Sequence, residues 1–148
     1  MSPRANTPFQ VLLVEDDAGD IELAKLALAE SPFPCRVTVA VNGKEAMARL
    51  RKQPPHADLP TPDLVLLDLN MPQMDGKEVL HEMKADPALA RIPVVVLTTS
   101  DVERDVIATY NLGAAGYVTK PVDVEALFKA VHTVEEYWFG TVRRPPRA

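Results

Sequence analysis

Phe9 to Asp17 reads FQVLLVEDD. Six residues rich in apolar and branched side chains stop abruptly at three acids. The run is short for a buried helix and suits a strand covered on both faces, with Glu15, Asp16 and Asp17 just past its end. Outward from this stretch the same theme returns. Ile21, Ala24 and Leu28 recur at helical spacing until Ser31-Pro32 closes the pattern. Arg36 to Val41 (RVTVAV) is a second strand. Asn42-Gly43 is a turn with Asn42 as N-cap, and the helix Lys44 to Arg51 sets Ala46, Met47 and Leu50 on one face. After a loop with four prolines in the ten residues from Gln53 to Pro62, Asp63 to Leu67 (DLVLL) forms a third strand ending at Asp68. A helix over Gly76 to Ala85 turns Val79, Leu80 and Met83 inward. Ile92 to Leu97 is the fourth strand, Val102 to Leu112 the next helix, and Gly116 to Thr119 a brief fifth strand. Asp123 caps a final helix predicted to run to about Trp138.

Near-continuous apolar strands alternating with amphipathic helices predict an α/β fold. The expectation is a doubly wound, five-stranded parallel sheet in a three-layer sandwich with five helices.

The chain has 148 residues, enough for one domain with a sizeable core. Residues 1–8 read as an extended or disordered N-terminus, 9–139 as the domain, and 140–148 as a flexible, basic, proline-bearing tail. A net charge of −5 argues against bulk electrostatic binding to nucleic acid. Cys35 is the only cysteine, which excludes an internal disulfide and a zinc site of ordinary spacing, and it reads as an inert thiol. The chain shows neither a signal-peptide core nor an apolar run of the roughly 18 residues that a membrane span needs. A cytoplasmic protein is the expectation.

The acids carry the functional signal. In a parallel sheet the ends of the first and third strands share one edge, so Glu15, Asp16 and Asp68 converge. Close carboxylates repel unless a positive group lies among them. A hard divalent cation such as Mg²⁺ suits the role, as does Lys120, which follows the fifth strand at the same edge. The fourth strand adds the hydroxyls of Thr98, Thr99 and Ser100. Taken singly, an acid there is commonly a helix cap, as Asp17 is expected to be, and a lysine a solvated charge. Together the set suits a phosphoryl group: a carboxylate nucleophile, cations on the phosphoryl oxygens and a hydroxyl to bond one of them.

VEDD (Val14 to Asp17), DLNMPQMDG (Asp68 to Gly76), VVVLTTS (Val94 to Ser100) and GYVTKP (Gly116 to Pro121) resemble the four signatures of the bacterial response-regulator receiver family. The resemblance covers about Phe9 to Val134. The proline-rich loop, LTTS and the ending EEYWF resemble the single-domain response regulators of phytochrome-type histidine kinases. The resemblance implies a flavodoxin-like fold with Asp68 as phosphoacceptor. Asp16 is implied as the principal acid on Mg²⁺ or Mn²⁺, Glu15 as a second acid reaching the metal through water, and Asn70 as a backbone-carbonyl ligand. Thr98 matches the switch hydroxyl, Lys120 the lysine that pairs with the phosphoryl group, and Tyr117 the aromatic switch. Lys120-Pro121 matches a cis peptide, and Asn70 and Ser100 match positions that tune dephosphorylation. Glu15 departs from the Asp that many members carry.

The implied protein is a phosphoacceptor and not a turnover enzyme. Its implied partners are a sensor histidine kinase, a bacteriophytochrome in the narrower match, and an unidentified downstream protein. A phosphatase of the haloacid-dehalogenase kind is the rival. It requires Asp-x-Asp, where this chain has Asp68-Leu69-Asn70. No DNA-binding pattern follows the last helix, so output through protein contact is expected. Val124, Leu127, Phe128, Val131, Val134 and Trp138 form its predicted inward stripe. Trp138 and Phe139 then either cover the core edge or, with Tyr137, build a homodimer interface through this helix and its tail.

Overall fold

Five parallel strands pair in the order β2-β1-β3-β4-β5 in a computed structural model that describes residues 8–30, 32–54, 56–69, 71, 74–98, 103–120 and 123–141. The strands are β1 (Phe9–Val14), β2 (Cys35–Ala40), β3 (Leu64–Leu67), β4 (Val94–Thr98) and β5 (Gly116–Thr119). The helices are α1 (Ala18–Ala29), α2 (Gly43–Leu50), α3 (Gly76–Ala85), α4 (Glu103–Asn111) and α5 (Val124–Glu135). The order reverses direction at β1, so β1 and β3 lie side by side at the switch point where such sheets open a crevice.

Alternation along the strands sends side chains to two separate cores. Leu12, Val14, Val65, Leu67, Val94 and Val96 face α2 and α3, meeting Met47, Leu50, Val79, Leu80 and Met83. Val11, Leu13, Leu64, Leu66, Val95 and Leu97 face α1 and α5, meeting Ala24, Leu28, Leu127 and Val131. Each fully buried Val or Leu contributes about 1.5–3 kcal/mol. This is the predicted three-layer sandwich.

The helix starts follow from single acids and amides. Asp17 accepts from Asp20 N at 2.8 Å, Asn42 from Glu45 N at 2.8 Å and Asp123 from Glu125 N at 3.0 Å. Asp75 caps α3 in the same way, its side chain accepting from Glu78 N at 3.1 Å.

β2, α2 and β3 shift by one residue from expectation, and two further boundaries differ for physical reasons. β4 starts at Val94 rather than Ile92, because Pro93 has no N–H to donate, although its carbonyl accepts from Val65 N at 3.0 Å. Beyond α5 the chain winds on as a π-helical turn, Glu136–Thr141. The wider turn shifts the apolar phase. Phe139 is therefore buried, Trp138 is half-buried and Tyr137 is exposed, while at the other end of α5 Val124 is exposed and stands outside the predicted stripe. Phe139 packs within the protomer against Phe9 and Phe33. Of the two alternatives for Phe139, this packing matches cover of the core edge and removes the residue from a dimer surface.

Candidate functional site

Four of the five strands, β1, β3, β4 and β5, each deliver one part of a cleft at the C-terminal edge of the sheet. Asp68 N donates to Val14 O at 3.0 Å, and Glu15 N to Ala40 O at 3.0 Å, so the ladders of β1, β2 and β3 carry both acids to the same level. Glu15 and Asp68 are buried and Asp16 is exposed. One carboxylate oxygen from each of the three lies within 4.8 Å of the others. Thr98 ends β4 fully buried, and its carbonyl accepts from Lys120 N at 2.6 Å. Tyr117 pairs with Val96 in the ladder and packs half-buried against the core on the α3 side.

Lys120 answers the acids. Its ammonium donates to Glu15 Oε1 and to Asp20 Oδ2, the latter at 3.0 Å. Its side chain is only 9% exposed, so the pair with Glu15 is shielded from water. Burial alone would lower the lysine's pKa, but the bonds to Glu15 and Asp20 outweigh it and hold the ammonium above its ordinary range. Glu15 is pushed up, chiefly by burial, while Lys120 pulls it partly back and the Asp68 charge pushes it up again. The backbone amides of Asp16 and Asp17 also point at Glu15 Oε2, at 3.1 and 3.3 Å.

The loop after Asp68 is pinned by two close approaches. Gly76 opens α3 and donates to Leu69 O at 3.1 Å, and a methyl group on it would collide with the Asp68 carbonyl and lie 2.8 Å from Leu69 Cα. A methyl on Gly43, at the start of α2, would collide with the backbone of Met74. Met74 itself takes the left-handed conformation, φ 77°, which a non-glycine residue adopts at a cost.

The donor set fits a small hard cation. Three carboxylate oxygens converge, one acid opens to solvent, and among the described residues Lys120 is the single basic one lining the cavity that Asp68 shares with Glu15 and Asp20. The structure thus brings together Glu15, Asp16, Asp68 and Lys120 as expected, with Thr98 one strand away. Asn70, Thr99, Ser100 and Pro121 lie outside the described residues, and with them the expected carbonyl ligand and the cis peptide. Asp20 is the residue that motif reading missed. Its position in the first turn of α1 carries no signal beyond ordinary helix-start acidity.

The response regulator receiver domain family matches residues 11–132. Among curated proteins, the response regulator Rcp1 of Synechocystis is 46% identical over 145 residues, 98% of this chain and 99% of Rcp1. Among solved structures, the phosphorylated cyanobacterial phytochrome response regulator RcpA superposes with a TM-score of 0.91 at 46% identity, covering 95% of this chain and 100% of that one. The Mn²⁺-bound form of Rcp1 superposes with a TM-score of 0.89 at 45% identity over 94% of this chain and all of that one. Among the described residues no helix is long and apolar enough to cross a membrane.

Proposed function

This chain belongs to the response regulator receiver domain family, and on that premise we propose that it is a phosphorylation switch whose acceptor is Asp68. One observation carries the assignment: oxygens of Glu15, Asp16 and Asp68 meet within 4.8 Å, at the edge where Lys120 arrives.

The donor is a phosphohistidine on a sensor kinase. An Asp68 carboxylate oxygen attacks phosphorus in line, forming a P–O bond as the P–N bond breaks. The imidazole leaves with the electron pair and takes up a proton from solvent. Asp16, Asp68 and Glu15 are the residues that would hold Mg²⁺ or Mn²⁺. When bound, the cation neutralises charge on the phosphoryl oxygens. Lys120 pairs with one of those oxygens, and the Thr98 hydroxyl donates to another. As Thr98 moves, Tyr117 follows into the space, and the face of α4, β5 and α5 shifts towards a second conformation. The phosphoryl group is carried by the chain's own Asp68 and no separate substrate is turned over, so the protein acts as a switch rather than a turnover enzyme.

The similarity to phytochrome response regulators supports a phytochrome-type kinase as the partner. The output is protein contact. Exposed Tyr137 and half-buried Trp138 support a homodimer through the end of α5.

The test is intact mass after exposure to a small phosphodonor with Mg²⁺. The wild type gains one phosphoryl group and Asp68→Asn gains none. A wild type without adduct, or an equal adduct on Asp68→Asn, rejects the assignment.

A further inference from the structure

Lys120 is claimed by an acid that no receiver signature in the sequence marks. Asp17 caps α1 by accepting from Asp20 N at 2.8 Å, which fixes the backbone of the first turn at Asp20. The Asp20 carboxylate then reaches back across the sheet edge. Its Oδ2 accepts from Lys120 Nζ at 3.0 Å, and Asp20 lines the same cavity as Asp68, Glu15 and Lys120. The residues are 100 positions apart, so the contact is a product of the tertiary fold.

An ammonium has three hydrogens to give. Here two bonds go to carboxylates of Glu15 and Asp20. A phosphoryl group on Asp68 replaces the single carboxylate charge with up to about two on its own oxygens, a net gain of about one, and asks for the same ammonium. Asp20 and the phosphoryl group therefore compete for Lys120. We infer that Asp20 is a positioning residue, which holds Lys120 against α1 and so weakens the cleft's hold on a phosphoryl group at Asp68. This rests on the acceptor reading above. The side chain of Asp20 is 36% exposed, which places the effect in the modest range of partly screened pairs.

The experiment titrates the full chain, in Mg²⁺, with beryllofluoride, a tetrahedral mimic of the phosphoryl group, followed by ¹⁹F nuclear magnetic resonance. Asp20→Asn should bind it roughly two- to fivefold tighter than wild type, and Asp20→Ser should do the same if the amide destabilises α1. Glu22→Gln is the charge control, because Glu22 is exposed on the same helix and its loss changes net charge equally. It should bind as wild type does. The gain in Asp20→Asn should persist between about 0.05 M and about 0.5 M salt, where long-range repulsion is screened away. Unchanged or weaker binding by both Asp20 variants overturns the assignment, as does an equal gain in Glu22→Gln or a gain that vanishes in salt. A wild type that binds no beryllofluoride overturns the acceptor reading and this inference with it.

Discussion

The ring of Phe139 stacks on the ring of Phe9, with 4.1 Å between centroids and 7° between planes. Phe33 meets both edge-on, at 6.1 and 6.2 Å. The stack ties the π-helical turn after α5 to the first residue of β1, closing the end of the sheet opposite the acidic cleft. The turn's extra width is what brings residue 139, rather than 138, onto this cluster. A side chain on Gly140 would strike the Phe33 ring, so that glycine admits the close packing.

Phe139→Ala should therefore lower unfolding free energy by about 3–5 kcal/mol, as for a truncated core aromatic. Tyr137→Ser should change it by less than about 0.5 kcal/mol. Urea denaturation measures both. The reverse ranking would mean that the helix continues without the wider turn.

The homodimer is tested without touching that stack. Tyr137→Ser combined with Trp138→Ser removes the aromatic face that remains outside and leaves Phe139 in place. Light scattering should report a dimer for the wild type and one chain for the variant. A wild type of one-chain mass refutes the interface outright.

At Gly76 an added methyl meets the Asp68 carbonyl and the Leu69 backbone. Gly76→Ala should cost about 1–3 kcal/mol and slow phosphoryl transfer to Asp68, since the acceptor loop must shift. Gly116→Ala meets only Val95 methyls at 3.7 Å and should be tolerated within about 1 kcal/mol. Equal effects from the two would remove Gly76 from its part in placing the acceptor.

Cys35 donates to Phe33 O at 3.2 Å and to Glu135 Oε2 at 3.4 Å. Burial, with the nearby Glu135 and Asp63 charges, pushes its thiol from 9.0 up to about 12. The folded state thus keeps a proton that the unfolded chain gives up. Stability from this group is complete below pH 9 and falls as pH rises towards 12. Iodoacetamide at neutral pH should leave the folded protein unmodified and label it fully in denaturant. Rapid labelling of the folded state would contradict the raised pKa of this half-buried thiol.

The topology and the acid cleft were legible because both follow from local patterns joined by one rule. Apolar runs ending in acids, separated by helices, must become parallel strands whose ends share an edge, and Glu15, Asp16, Asp68, Thr98 and Lys120 need nothing more to be grouped. Asp20 was illegible because its role depends on how far a carboxylate on α1 reaches towards β5, a distance that no spacing encodes. The π-helical turn was illegible because EEYWFGT continues an α-helical apolar pattern plausibly to Trp138, and only packing against Phe9 and Phe33 selects the next residue. Pro93 was the opposite case. Its missing N–H announces the start of β4, and the apolar character of Ile92 masked it.

Lys120 and Glu15 are 105 residues apart and belong to opposite ends of the chain's synthesis. While the polypeptide is still emerging from the ribosome, the acids exist without their counter-charge. The cleft is assembled only when β5, at the sheet's edge, has docked beside β4. The cleft around Asp68 is thereby complete only once the last strand is in place, so its integrity reports on the integrity of the whole sheet.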